Sequence, residues 1–266
     1  MDYDILVINL AEARERRQRI CDHLAQLGVT SMQMVDAVRG DRLAADERAL
    51  RADDARTLDR YGRVLTPGEL GCALSHVRAY DMLLAGPQAF ALILEDDAVL
   101  LPEAIALLER APIRQWLLRP EPRLLLMTPI RSYLLRGARP VDERYRLVGV
   151  RRAWEGYGYV LNRAAAAVMR RINSPAWLSA DDWVAYRKLG GVELGGLDPF
   201  CIGYLDSAPS QLELDRRRVE NAGNRSRSLR TRLEKWCRQG MDALYYKPVW
   251  GLGQQRMPPG WPGARD

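Results

Sequence analysis

Three adjacent carboxylates, Glu95-Asp96-Asp97, follow directly on the apolar run AFALIL at residues 89–94. Like charges packed at the end of a buried strand resist ionising together unless a cation or donor groups balance them. Oxygen-only ligand sets suit Mg²⁺ and Mn²⁺, which take one or two carboxylates plus substrate phosphates. Glu95 and Asp97 alternate along an extended backbone, so both can face one site. An acidic loop or a helix cap explains the same three residues equally well. A second acidic pair, Asp181-Asp182, opens a short helical segment. Either it caps that helix, or one carboxylate reaches the site as a general base for a hydroxyl.

His76 stands beside Ser75 in the middle of a helix, and residues 69, 72, 76 and 80 share one helical face. Neighbouring helical side chains diverge, so Ser75-His76 is no hydrolase triad, and His76 alone reads more readily as a packed or surface histidine than as a ligand or base.

The elements that must position these groups are legible in outline. Residues 5–10 (ILVINL) form a buried strand, followed by a helix over 11–27 with Ile20, Leu24 and Leu27 on one face and a stop at Gly28. Residues 32–38 give a second strand, and 41–63 a charged excursion with some helix. Thr66-Pro67-Gly68-Glu69 combines an N-cap, proline at the first helical position and the glutamate of a capping box, starting a helix to about residue 84. Strands follow at 89–94, 124–127 and 156–161, with a hairpin or loop over 131–144 and an Ala-rich helix from Asn162 or Arg163. Alternating strands and helices predict an α/β sheet with right-handed crossovers, and ligands in such sheets gather beyond the carboxyl ends of the strands.

Bulk features narrow the class. The 266 residues carry a net charge of +6, yet residues 216–266 hold 12 Lys/Arg against 4 Asp/Glu. The expected organisation is a nearly neutral catalytic domain, 1–215, and a basic amphipathic tail, 216–266. Arg225, Arg227, Arg230, Arg232, Lys235 and Arg238 interleave there with Leu229, Leu233 and Trp236. This suits an anionic membrane surface, single-stranded nucleic acid or a solvated basic face. With 37 Arg against 3 Lys, a lone Arg says little about anion binding. Four dispersed cysteines and two histidines exclude a zinc finger or disulfide framework. No signal peptide is expected, and the apolar runs at 90–94 and 124–127 fall far short of the roughly 20 residues of a membrane span.

In order along the chain these blocks resemble glycosyltransferase family 25, the lipooligosaccharide-biosynthesis and collagen-galactosyltransferase group. Val7-Ile8-Asn9-Leu10 with Arg14, Arg16 and Arg17 is similar to its opening strand and Arg-rich helix, and Asp36-Ala37-Val38 to its second strand end. LTPGELGCALSH at 65–76 and ILEDD at 93–97 are similar to its most specific blocks. Gly158–Arg163 with Ala166 resembles a later strand and helix, and Ala180-Asp181 a further element. Glu155-Gly156-Tyr157 departs from the family's small Gly-Thr element, and Ser179-Ala180 from its usual Pro-Val.

The resemblance implies a GT-A-type fold, one mixed sheet flanked by helices with a basic helical extension. It implies a nucleotide-sugar donor, with UDP-hexose expected, and transfer of galactose or glucose with inversion onto a glycan of lipopolysaccharide type. Asp97 with Glu95 would hold Mn²⁺ or Mg²⁺. Asn9, Leu10, Arg14, Asp36, Ala37, Glu69, Ser75, His76, Glu95 and Asp96 would line the donor pocket. Asp181, or Asp182 next to it, would be the base. A third metal ligand among Asp198, Asn221 and Asn224 stays open. The expected setting is the cytoplasmic face of a bacterial inner membrane, with no nucleic acid partner. Non-catalytic binding on the same fold, or a protein acceptor, are the alternatives.

Overall fold

The structure is a computed structural model that describes residues 2–205, 240–256 and 261. Its centre is a mixed sheet built on three parallel strands: β1 (Asp4–Asn9) lies between β2 (Gln33–Asp36) and β3 (Phe90–Glu95). α1 (Arg14–Gln26) follows β1, and a 3-10 turn at Gly40–Arg42 with α2 (Ala45–Arg51) and α3 (Asp54–Tyr61) makes up the charged excursion. α4 (Pro67–Ala85) leads into β3. Beyond it come β4 (Ala98–Leu100), α5 (Ala104–Leu108), α6 (Ala111–Leu117) and β5 (Arg123–Leu126). β6 (Ser132–Pro140) and β7 (Arg146–Arg152) form the hairpin, then β8 (Gly158–Asn162), α7 (Arg163–Ile172), α8 (Trp183–Gly190), β9 (Glu193–Asp198) and β10 (Ile202–Tyr204). A wide helix, α9 (Asp242–Trp250), precedes β11 (Leu252–Gly253). Among the described residues the sheet has nine strands in the order β11-β6-β7-β9-β5-β8-β3-β1-β2, and β10 pairs with β4 in a separate antiparallel ribbon.

Both faces of the sheet are covered, which is why β1 and β3 read as unbroken apolar runs instead of alternating ones. Leu6, Ile8 and Ile93 pack with Tyr80, Leu83, Tyr159 and Trp183 on the α4, α7 and α8 side. Ile5, Val7, Leu92 and Leu94 pack with Ile20, Leu24, Leu107 and Ile113 on the α1, α5 and α6 side. One large mixed sheet flanked by helices, with the β4–β10 ribbon beside it, is therefore what the described residues build.

Several elements differ from the sequence expectation. α1 begins at Arg14 and not at residue 11, because Leu10 to Ala13 forms a turn closed by the Ala13 N–H on the Leu10 carbonyl at 2.8 Å. β7 and β9 have no counterpart in the sequence reading. β9 carries Gly195 and Gly196, whose missing side chains are required: a Cβ on Gly196 would stand 2.1 Å from Ile130 Cδ1, and one on Gly195 2.8 Å from Trp116. Such positions look like weak strand formers in a sequence. The capping box is present in full, with Thr66 Oγ1 accepting from the Glu69 N–H and the Glu69 carboxylate accepting from the Thr66 N–H.

Residues 216–239 of the expected tail lie outside the described residues. The part described returns to the sheet: Leu252 and Gly253 pair with Leu134 and Tyr133 of β6. Gln255 locks it there, accepting from the Ile130 N–H at 2.9 Å and donating to the Leu197 carbonyl at 2.8 Å. None of the described helices is long and apolar enough to cross a membrane.

Candidate active site

The parallel register brings the carboxyl ends of β1, β2 and β3 together. Asn9 stands opposite Asp36, and Ile8 opposite Glu95, so the residues after β3 meet the end of β1. Asn9 Nδ2 donates to Asp96 Oδ2 at 2.6 Å, and Arg16 Nη1 lies 3.2 Å from Asp96 Oδ1. Burial raises the Asp96 carboxyl above its ordinary range, and Arg16 and Asn9 oppose that rise. The backbone N–H of Ala37 donates to the Asn9 carbonyl at 3.0 Å, which fixes the end of β2 against β1. Leu10 is half-buried, while Arg14 and Asp36 are exposed at the same edge. Arg16, and not Arg14, therefore meets the acidic group, two residues further along α1.

Asp97 is the unbalanced member. Its Oδ1 is buried and has no hydrogen-bond partner. Burial, with Glu95 and Asp96 beside it, pushes its carboxyl up to about 7. An orphaned buried carboxylate next to two others is the donor set that a hard divalent cation satisfies. Asp97 and Glu95 thus fit Mn²⁺ or Mg²⁺.

On the other side of Glu95 lies α4. Its face carries His76, whose Nε2 is 3.4 Å from Glu95 Oε1 and whose Nδ1 is 2.7 Å from the Tyr159 hydroxyl. Gly156 closes the group: a Cβ there would touch Glu95 Oε1 at 3.6 Å, Asp181 Cβ at 3.8 Å and His76 Cε1 at 3.8 Å. Asp181, Glu95 and His76 therefore border one space that Gly156 leaves clear. Glu155 supports this corner in a left-handed conformation, φ 80°, rare for a residue with a side chain and concentrated at functional sites. Its N–H donates to Asp181 Oδ2 at 3.4 Å, and its Oε2 accepts from the Tyr157 hydroxyl at 2.6 Å. Burial raises the Glu155 carboxyl.

Other candidates serve the scaffold. Asp182 is 2% exposed; it accepts from Arg60 Nε at 2.6 Å and the Tyr61 hydroxyl at 2.7 Å, and it caps α8 through the Ala185 N–H. Of the two acidic neighbours, it takes the capping role. Glu69 is buried and paired with Arg63 Nη1 at 2.6 Å besides capping α4. Ser75 Oγ donates to the Gly71 carbonyl at 2.6 Å and accepts from the Val38 N–H at 2.8 Å, tying the chain after β2 to α4. That seam is tight at Gly40 and Gly71, where a Cβ on Gly40 would sit 1.8 Å from the Pro67 carbonyl oxygen. Asp198 is engaged elsewhere, by Arg146 and by Gln255 Nε2 at 3.1 Å. Asn221 and Asn224 lie outside the described residues.

Sequence reasoning passed over Arg16, Glu155 and Cys72 as site residues. The signal for Cys72 was its i, i+4 spacing to His76 on one helical face; its third neighbour, Glu95, comes from another element.

An α/β domain with paired carboxylates beyond the carboxyl ends of parallel strands is the class that fold and site define. Residues 2–119 match the model of Glycosyltransferase family 25 (LPS biosynthesis protein). It is 35% identical over 99 residues to the human protein "Inactive glycosyltransferase 25 family member 3", a match covering 35% of this chain and 16% of that one. Similarity to an Aedes aegypti "Glycosyltransferase 25 family member" is 35% identity over 98 residues, again 35% of this chain and 16% of the relative. "Procollagen galactosyltransferase 1" of Danio rerio is 31% identical over 99 residues, 35% of this chain and 16% of the relative. These matches span only about a sixth of the relatives' length. Among solved structures, a glycosyltransferase involved in glycosylation of the major capsid of PBCV-1 superposes with a TM-score of 0.37 and 9% identity, over 80% of this chain and 98% of that chain.

Proposed function

We propose that this chain is an inverting, divalent-metal-dependent glycosyltransferase. It moves a hexose, galactose or glucose, from a nucleotide sugar of the UDP type to a glycan acceptor of lipopolysaccharide or lipooligosaccharide type. The observation that carries this reading is the buried, unpartnered Asp97 oxygen beside Glu95 and Asp96 at the carboxyl edge of β3.

In this reading Asp97 and Glu95 hold Mn²⁺ or Mg²⁺, which when bound neutralises charge on the diphosphate leaving group. Asn9, Leu10, Arg14, Asp36 and Ala37, at the ends of β1 and β2, accommodate base and ribose. Asp96 is held by Asn9 and Arg16 as the rigid floor between the two strands. His76 borders the sugar. Asp181 takes the proton of the acceptor hydroxyl on a carboxylate oxygen, because Asp182 already spends its oxygens on Arg60, Tyr61 and the α8 cap. Glu69 and Ser75 act by fixing α4, not by touching donor.

The decisive experiment is transfer and hydrolysis of UDP-galactose and UDP-glucose by the full chain with Mn²⁺ or with EDTA. Turnover restored by Mn²⁺ and abolished in Asp97→Ala is the expected result. Full turnover of Asp97→Ala in both conditions overturns the site assignment. A non-catalytic reading draws on the human relative named inactive, and it predicts nucleotide-sugar binding without turnover.

The lipid-linked acceptor and a cytoplasmic, inner-membrane position rest on the basic charge of residues 216–266. Exposed Leu244, Tyr245 and Val249 on α9 add an apolar component. Because β11 belongs to the sheet, the informative variant neutralises Arg225, Arg227, Arg230 and Arg232 to Gln, with no truncation. Lost binding to anionic liposomes with soluble turnover retained supports the membrane reading.

A further inference from the structure

We propose that Cys72, His76 and Glu95 form a second metal site, one that takes a borderline-soft divalent ion of the zinc class. Cys72 and His76 are four residues apart on α4 and lie on the same face; Glu95 is brought against them by the end of β3. One ligand atom from each of the three lies within 4.8 Å of the others. A thiolate, an imidazole and a carboxylate together suit Zn²⁺ and its neighbours in the transition series, whereas Mg²⁺ prefers oxygen alone.

Geometry supports the choice. Two ligands at about 2.0–2.1 Å from a tetrahedral ion stand about 3.4 Å apart, and His76 Nε2 to Glu95 Oε1 is 3.4 Å. The Cys72 sulfur, within 4.8 Å of a ligand atom of each, closes the triangle. His76 is 1% exposed, and its other nitrogen already has the outer partner that metal-bound imidazoles use. Nδ1 lies 2.7 Å from the Tyr159 oxygen, itself 3.0 Å from the Tyr80 oxygen, so in the metal-binding tautomer Nδ1–H donates to Tyr159 and the Tyr159 hydroxyl to Tyr80. This arrangement leaves Nε2 as a lone-pair donor aimed at Glu95. Three protein ligands leave a fourth position for water or substrate, and Gly156 keeps the space between Glu95, His76 and Asp181 free of a side chain.

On binding, the Cys72 thiol releases its proton to solvent as the sulfur–metal bond forms, with no change of oxidation state. Glu95 is common to this site and to the one centred on Asp97, so an ion in one draws a ligand from the other. The proposal itself concerns binding and does not depend on the chain being a transferase.

Cobalt(II) titration of the full chain tests it. A strong near-ultraviolet thiolate-to-cobalt band is expected, displaced by one equivalent of Zn²⁺. It should vanish in Cys72→Ser, persist in Cys21→Ser and Asp97→Asn, and require about tenfold more cobalt in Tyr159→Phe. No band in the wild type, or a band that survives Cys72→Ser, overturns the proposal. Alkylation needs no variant: one equivalent of Zn²⁺ should slow iodoacetamide modification of Cys72 at least tenfold and leave Cys21 unchanged. An unchanged Cys72 rate rejects the site.

Discussion

Asn9 and Asp96, 87 residues apart in sequence, are joined by a 2.6 Å hydrogen bond across the ends of β1 and β3. It is a charge-assisted bond at a position 3% exposed for Asn9 and 6% for Asp96. Asn9→Ala leaves that carboxylate to its arginine neighbours, Arg16 foremost, and should cost about 2 kcal/mol of stability. Urea denaturation reads this loss, and donor KM should rise in the same variant because the floor of the site loosens.

Asp181 and Asp182 are neighbours with opposite expected phenotypes. Asp181→Asn should lower kcat by at least about 10²-fold, as loss of a general base does, with a melting temperature near that of wild type. Asp182→Ala removes both a cap and the partner of Arg60, and should destabilise by about 3 kcal/mol. Calorimetry and turnover measured side by side separate the two. A thermally weakened Asp181→Asn of normal kcat would reverse their roles.

The backbone seam between Gly40 and α4 leaves no room for a methyl group. On Gly71, a Cβ would stand 2.4 Å from the Val38 carbonyl oxygen. Gly71→Ala should therefore cost at least about 1–3 kcal/mol, through displacement of the chain that follows β2. Gly28, where nothing lies within 4 Å of an added Cβ but φ is +77°, provides the contrast: there the penalty is conformational alone.

His23 predicts a pH effect away from the site. Burial lowers its pKa below the ordinary 6.5, and the neutral Nε2 accepts from the Leu100 N–H at 2.9 Å. The unfolded chain takes up a proton near pH 6.5 that the folded ring resists. This contribution to stability is thus complete above the unfolded value and is lost as pH falls through the folded one. Melting temperature recorded from about pH 8 down to 5 should decline, and His23→Gln should flatten part of that slope. Identical slopes in both proteins would remove His23 from the account.

What could be foreseen depended on whether the information was local. The α4 start was legible because Thr66, Pro67 and Glu69 act on one another within a single turn. β1 and β3 were legible because burial on both faces demands continuous apolar residues. β9 was not, since its glycines answer to Trp116 and Ile130, which no neighbouring residue betrays. The acidic run at 95–97 marked the site, yet the division of labour inside it was hidden. That Asp96 is tied down while Asp97 Oδ1 has no partner follows from Asn9 and Arg16 arriving from β1 and α1. Likewise, Asp182 is a cap because Arg60 and Tyr61 reach it across 122 and 121 residues.

The pairing of Leu252 and Gly253 with β6 has a consequence for how the protein is made. Until a ribosome has released that pair, the outer edge of β6 is bare, and a bare edge is a template for a stray strand from another chain. β6 bears Arg136 and Arg139 there, both exposed, and charge of this kind discourages such strays. The arginine-rich stretch emerges just before the closing pair. Any partner that seizes it early would hold a molecule whose β6 edge is still unpaired.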